Sequence, residues 1–169
     1  MIRSYKPGDL QALREITAIC FDGTSVDQNI EKKFGPVGKR SWQDRKAGTI
    51  DADAQVNPEG VFVSDEEGEV IGYISCRIDQ ESCIGWIPNL SVLPGHQQKG
   101  IGKALMERAL EYFEASGMEL VRIETLEQNP VGPTFYPRMG FQEIARQIHY
   151  ALPLKDPQMR SAEGGAGKE

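Results

Sequence analysis

The chain has 169 residues, of which 39% are hydrophobic and 26% charged. That length holds one domain with a sizeable core, and the balance excludes a fibrous or compositionally disordered chain. Lys and Arg number 19 against 25 Asp and Glu, giving a formal net charge of −6, the reverse of the basic excess of a nucleic-acid binder.

The N-terminal MIRSYKPGDL lacks the apolar run of a signal peptide. Ile2 to Tyr5 reads as a short strand, broken at Lys6-Pro7-Gly8. Asp9 is placed to cap a helix from Leu10 to about Cys20, with Leu10, Leu13, Ile16 and Cys20 on one stripe. The polar stretch that follows carries two short helices, near Asp27 to Phe34 and Ser41 to Ala54. It reads equally as a substrate-facing lid and as a plain surface excursion. Gly60 to Ser64 and Val70 to Cys76 form an antiparallel hairpin about the turn Asp65 to Glu69. A third strand runs from Cys83 to Val92. Pro88 lacks a ladder donor, so this strand bulges or splays near Pro88 and Asn89.

Gly100 to Ser116 is the clearest helix, with Ile101, Leu105, Ala109 and Tyr112 on its apolar stripe and Gly117 at its end. Glu119 to Leu126 is a strand, and Asn129 to Met139 a short helix interrupted by prolines. Phe141 to Ala145 and Gln147 to Leu152 close the fold as a pair of strands. Residues 1–155 form the single domain, and the apolar-poor tail 156–169 is expected to be mobile. The order gives a mixed α/β fold: a largely antiparallel twisted sheet joined to one parallel βαβ unit with a right-handed crossover.

No run approaches the roughly 18 apolar residues that span a bilayer. Cys20, Cys76 and Cys83 are an odd count without metal-ligand spacing, so no disulfide framework and no metal site are expected. A reducing, cytoplasmic home follows. No nucleic-acid or membrane partner is expected.

The stretch HQQKGIGKAL, residues 96–105, places two helix-averse glycines where a helix begins. The first N–H groups of a helix have no internal partners and carry the positive end of its dipole. Glycines let a phosphate approach that backbone closely. A P-loop is excluded, because neither glycine leads to Lys-Ser/Thr at the required spacing. A dinucleotide fingerprint is excluded too, since Leu105 stands where its third glycine belongs.

Gln97-Gln98-Lys99-Gly100-Ile101-Gly102 matches Gln/Arg-x-x-Gly-x-Gly/Ala. Asn129-x-x-Gly132-x-x-Phe135-Tyr136-x-x-x-Gly140-Phe141 is similar to Asn-x-x-Ala-x-x-Leu-Tyr-x-x-x-Gly-Phe. In both motifs, and in LSVLP before the turn, the chain resembles the GNAT family of N-acetyltransferases over roughly residues 61–152. The resemblance implies the GNAT acyl-CoA N-acyltransferase fold, with two parallel strands splayed, and acetyl-CoA as acyl donor without a metal. It implies that the turn from Gln97 through Gln98, Lys99, Gly100, Ile101, Gly102 and Lys103 holds the diphosphate. It implies that the backbone near Leu90, Ser91 and Val92 pairs with the pantetheine arm, and that Asn129 touches the coenzyme.

Tyr136, by its motif position, is then the acid beside the sulfur. Glu124 matches the glutamate base of the ribosomal-protein N-terminal acetyltransferases. A water held by Asn89 and Ser91 is the alternative, since the strand with Pro88 carries no carboxylate. The acceptor is an amine of a small molecule, peptide or protein N-terminus, chosen by the segment 23–55. A homodimer is an option the resemblance leaves open. A non-catalytic acyl-CoA-binding or sensing domain is the alternative reading. Two departures from the pattern stand out: Gly132 replaces alanine, and Pro130, Pro133 and Pro137 crowd the last helix, so it is short or kinked.

Overall fold

A computed structural model describes residues 1–154, and the expected tail over 156–169 lies outside the described residues. In chain order the elements are β1 (Ile2–Ser4), α1 (Leu10–Cys20), α2 (Val26–Phe34), α3 (Trp42–Val56), β2 (Val61–Glu66), β3 (Glu69–Asp79), β4 (Ile84–Val92), α4 (Ile101–Ala115), β5 (Leu120–Ile123) and α5 (Gly132–Arg138). One sheet runs in the order β1-β2-β3-β4-β5. The first three pairings are antiparallel, and β4 with β5 is parallel, as a crossover through α4 requires.

The sheet is covered on both faces, which is why β2 and β3 read as nearly continuous apolar runs. On one face Phe62, Ile74, Cys76 and Ile87 pack against Leu105, Met106, Ala109 and Phe113 of α4. On the other, Val61, Val63 and Tyr73 meet Leu13 and Ile16 of α1 and Ile50 of α3. Ser25 and Ser41 accept the amides of Asp27 (3.2 Å) and Asp44 (3.1 Å) and so cap α2 and α3. Asp9 does not cap α1 with its side chain. Its carboxylate is held by Arg3 (2.8 and 2.9 Å) and by the amide of Lys6 (2.8 Å).

The expected bulge is present. Ser75 pairs with Asn89 and Arg77 with Trp86, so two steps along β3 match three along β4. The extra residue lies at Ile87-Pro88 and resets the alternation. Beyond it, Asn89 shares the α1/α3 face with Ser75, while Leu90 and Val92 pack toward α4.

The largest differences from expectation lie after α4. β5 stops at Ile123 instead of reaching Leu126, because β4 turns away at the bulge and offers no ladder past Ile87. α5 begins at Gly132, not Asn129: Asn129 Oδ1 accepts the Val131 amide (3.0 Å) in a turn that holds the entry. The closing strands at 141–145 and 147–152 are absent. Residues 142–152 are exposed and have no regular structure, since no strand lies alongside them to complete a ladder. Among the described residues no helix is long and apolar enough to cross a membrane, and no cluster could hold a metal ion.

Candidate active site

The β4–β5 pairing runs from Ile84 with Leu120 to Ile87 with Ile123 and ends there. The outer edge of residues 88–92 therefore faces a gap. The Leu93 amide donates to Ile71 O (2.9 Å) on β3, so alternation turns the backbone groups of Leu90 and Val92 toward the gap. Val92 O is already engaged, by Gln97 Nε2 at 2.9 Å and Cys20 Sγ at 3.4 Å. Leu90 thus presents both N–H and C=O at the gap, and Val92 its N–H. Ser91 differs: its backbone faces β3, and its side chain is buried on the α1/α3 face.

Beside the gap α4 begins. Gln98 and Gly100 have φ of +62° and +82°, and Gly100 serves as the N-cap without any side-chain cap. A left-handed residue here favours glycine. The first bond closing the helix runs from Ala104 N to Gly100 O (3.0 Å), so the amides of Ile101, Gly102 and Lys103 have no helical acceptor. Lys99 and Lys103 are exposed at the same end. Gln97 acts differently from its neighbours: its side chain ties the turn to the end of β4.

α5 packs onto this helix start, with the Phe135 ring 3.6 Å from where a Gly102 Cβ would stand. Gly132 is explained by the same packing. A Cβ there would lie 2.6 Å from Thr125 Oγ1, so the alanine of the motif does not fit. Tyr136 is half-buried between the rings of Phe135 and Phe141, at centroid distances of 5.5 and 6.1 Å. Burial pushes its phenol up to about 12, so the hydroxyl stays protonated at neutral pH. Asn129 spends its side chain locally, donating to Thr125 Oγ1 (2.9 Å) as well as accepting from Val131.

Glu124 follows the last residue of β5. Its Oε2 accepts from Trp86 Nε1 at 3.1 Å, and its Oε1 from Arg122. The guanidiniums of Arg77 and Arg122 lie 5.3 and 5.2 Å from the Trp86 ring. These three residues line a cleft of about 310 Å³ with Ile78, Asp79, Ser82 and Ile84.

Sequence reasoning missed the group that anchors this face. Asp53 of α3 is fully buried and accepts from Ser75 Oγ (2.7 Å), Arg77 Nε (2.7 Å) and Asn89 Nδ2 (2.8 Å). Asn89 Oδ1 in turn accepts from Lys46 Nζ (2.7 Å), whose ammonium stands 4.0 Å from the Phe21 ring centre. Desolvation lowers the Lys46 pKa from its ordinary value. A signal existed: Asp53 falls three residues after Ile50, on the apolar stripe of α3, where an unpaired charge is costly. Burial pushes the Cys76 thiol upward and Cys20 to about 11, away from thiolate chemistry at neutral pH.

A mixed sheet that opens beside an uncapped helix start is the architecture of the N-acyltransferase fold. The chain belongs to the Acetyltransferase (GNAT) family, whose profile matches residues 12–141. A mycothiol acetyltransferase of Streptomyces avermitilis is 32% identical over 116 residues, covering 69% of this chain and 36% of that protein. The chain thus spans about a third of the length of the mycothiol acetyltransferases it matches. An uncharacterized N-acetyltransferase of Archaeoglobus fulgidus is 33% identical over 116 residues, covering 66% of this chain and 67% of that one. The crystal structure of PaiA N-acetyltransferase from Thermoplasma acidophilum, in complex with coenzyme A, has the same fold. Its TM-score is 0.65 at 23% identity, over 84% of this chain and 89% of that one.

Proposed function

We propose that this chain transfers an acetyl group from acetyl-CoA to a primary amine of a small molecule, peptide or protein N-terminus, by direct attack in a ternary complex. The observation that carries the reading is the open edge of Leu90 beside the uncapped start of α4. Acetyl-CoA supplies an activated acyl carbon and a stable thiolate leaving group. The amides from Gln98 to Lys103 receive the diphosphate, and Lys99 and Lys103 add positive charge. Leu90 and Val92 bond the pantetheine arm as a strand would, and an amide at the gap steadies the oxyanion.

An attacking amine must be neutral, yet a lysine-type amine titrates near 10.4. Glu124 accepts its proton, and Tyr136 protonates the departing sulfur. The segment 23–55 selects the acceptor. Two observations support that role: Lys46 reaches Asn89 on β4, and Gln128 Nε2, from the loop after β5, donates to Gly23 O (2.6 Å).

Titration calorimetry with acetyl-CoA tests the reading. Gly102→Glu sets a carboxylate among the diphosphate-binding amides and is expected to weaken binding about tenfold or more. No binding by the unaltered chain defeats the proposal. Tight binding without transfer to any of a panel of amines supports an acyl-CoA-sensing domain instead. The base has its own test, the pH dependence of kcat/KM. Glu124→Gln is expected to lower turnover about 10²-fold near neutrality and to move the acid limb. An unchanged profile removes Glu124 and leaves a water held by Asn89 and Ser91.

A further inference from the structure

We propose that the cleft over Trp86 binds a carboxylate carried by the acceptor, clamped between Arg77 and Arg122, so that the chain selects amines with a carboxylate about six bonds away. Arg77, Trp86 and Arg122 are register partners on β3, β4 and β5. Their side chains therefore stand in a row on one face of the sheet, the face of α1 and α3. Both guanidinium carbons lie within 5.3 Å of the Trp86 ring centre. The indole gives the cleft a flat apolar floor, continued by Ile84 on the same face.

Each arginine is held by one edge and presents the other. Arg77 spends Nε and Nη2 on Asp53 Oδ1, and Arg122 spends Nη1 on Glu124. Arg77 Nη1 and Arg122 Nε and Nη2 have no acceptor among the described residues. Two cations gathered at one ring repel each other, and an anion shared between them offsets that cost. Stability does not account for Arg122: its pair with Glu124 is about half exposed, where such pairs contribute little. Asp79, which also lines the cleft, is turned to its own loop. Its oxygens accept from Ser82 Oγ (2.7 Å) and from the amides of Glu81 (3.0 Å) and Ser82 (3.4 Å). Asp53 and Glu124 already balance the two guanidiniums, so the open N–H groups suit a planar monoanion and not a phosphate dianion. A guanidinium fork matches a carboxylate in geometry as well as charge.

Position sets the length of the acceptor. Leu90 pairs with Ile74, three residues along β3 from Arg77, so the row stands roughly 10 Å from the open edge. An amine at that edge and a carboxylate over Trp86 are thus roughly 7–10 Å apart, the reach of about six bonds. The cleft, at about 310 Å³, is ample for a carboxylate and the methylenes that lead to it. Assigning the carboxylate to the acceptor rests on the acetyl-transfer reading; the anion site itself does not.

Calorimetry with 6-aminohexanoate and 6-aminohexanamide, with and without coenzyme A, tests the site, because the two compounds differ in charge and hardly in shape. The carboxylate is expected to bind at least about tenfold more tightly than the amide and to shift the Trp86 indole N–H resonance. Arg122→Gln is expected to bring the two affinities within about twofold. The ratio cancels any change in Glu124 that both compounds feel, and circular dichroism reports whether the variant is folded. Salt gives a measurement on the unaltered chain: the carboxylate preference is expected to fall at least about threefold between about 20 and 500 mM. In acetyl transfer the same preference is expected in kcat/KM. Equal affinities overturn the proposal. So does a preference that survives Arg122→Gln in a folded chain, or one indifferent to salt. Selective binding with no acetyl transfer to any amine supports the anion site and defeats the acetyl-transfer reading alone.

Discussion

Tyr136→Phe is expected to lower kcat on the order of 10²-fold while the acetyl-CoA dissociation constant stays within about twofold. The substitution keeps the ring, so the edge contacts with Phe135 and Phe141 survive. The lost hydroxyl bonds no other described residue, so its removal leaves no orphaned partner and the fold is preserved. What disappears is one proton donor on α5, the helix that packs against the start of α4 through Phe135. Because burial raises the phenol from 10.0 to about 12, it remains a donor throughout the neutral range. Any loss of activity between about pH 7 and pH 10 therefore belongs to another group, and Tyr136→Phe should not move it. The same shift affects stability. Above pH 10 the unfolded phenol ionises before the folded one, so stability falls as pH rises from about 10 to about 12, and the phenylalanine variant lacks that loss. Release of free thiol measured against acceptor concentration gives kcat. Turnover within twofold of the unaltered chain ends the acid assignment.

Much of this site was legible because backbone chemistry leaves marks in sequence. Glycines at a helix start and a proline inside a strand are both unfavourable unless something requires them. Here they locate the uncapped start of α4 and the β4 bulge. The helix stripe of α1 was equally clear, and its bounds agree with the structure. Side-chain assignments fared less evenly. Glu124 was singled out by its motif position, but its ties to Trp86 on β4 and Arg122 on β5 are announced by no spacing. Nor did Gln97 announce that its amide would reach back to Val92 O. The closing strands failed for a different reason. Alternation states that a segment can be a strand, but a ladder needs a neighbour, and alternation does not name one. α3 lies within two residues of its expected bounds, but its polar composition hides a buried charge in the apolar stripe.

That charge gives the largest stability effect expected. Asp53→Asn keeps the volume and removes the one carboxylate in contact with Arg77, Ser75 and Asn89. Ser75, Arg77 and Asn89 then lose a charged acceptor at a fully buried position, at a cost of roughly 2–4 kcal/mol in all, although Arg77, 35% exposed, recovers part of its hydration. For a chain of this size that corresponds to a fall in Tm on the order of 10 °C. Exposed pairs give a useful contrast. Lys103 and Glu107 are 3.5 Å apart in solvent, and Lys103→Ala should change Tm by no more than about 2 °C. A loss of site geometry should accompany the loss of stability. Asn89 is oriented by donating to Asp53 while it accepts from Lys46, so an asparagine at 53 frees it to rotate. Lys46 then keeps its buried ammonium without the amide oxygen that receives it. Acceptor KM should rise well below the melting temperature, while acetyl-CoA affinity, set on the other side of β4, stays unchanged. Differential scanning calorimetry and acceptor titrations at 25 °C separate the two effects. A Tm within 3 °C of the unaltered chain would show that Arg77 reaches solvent once freed, and that Asp53 does not anchor this face.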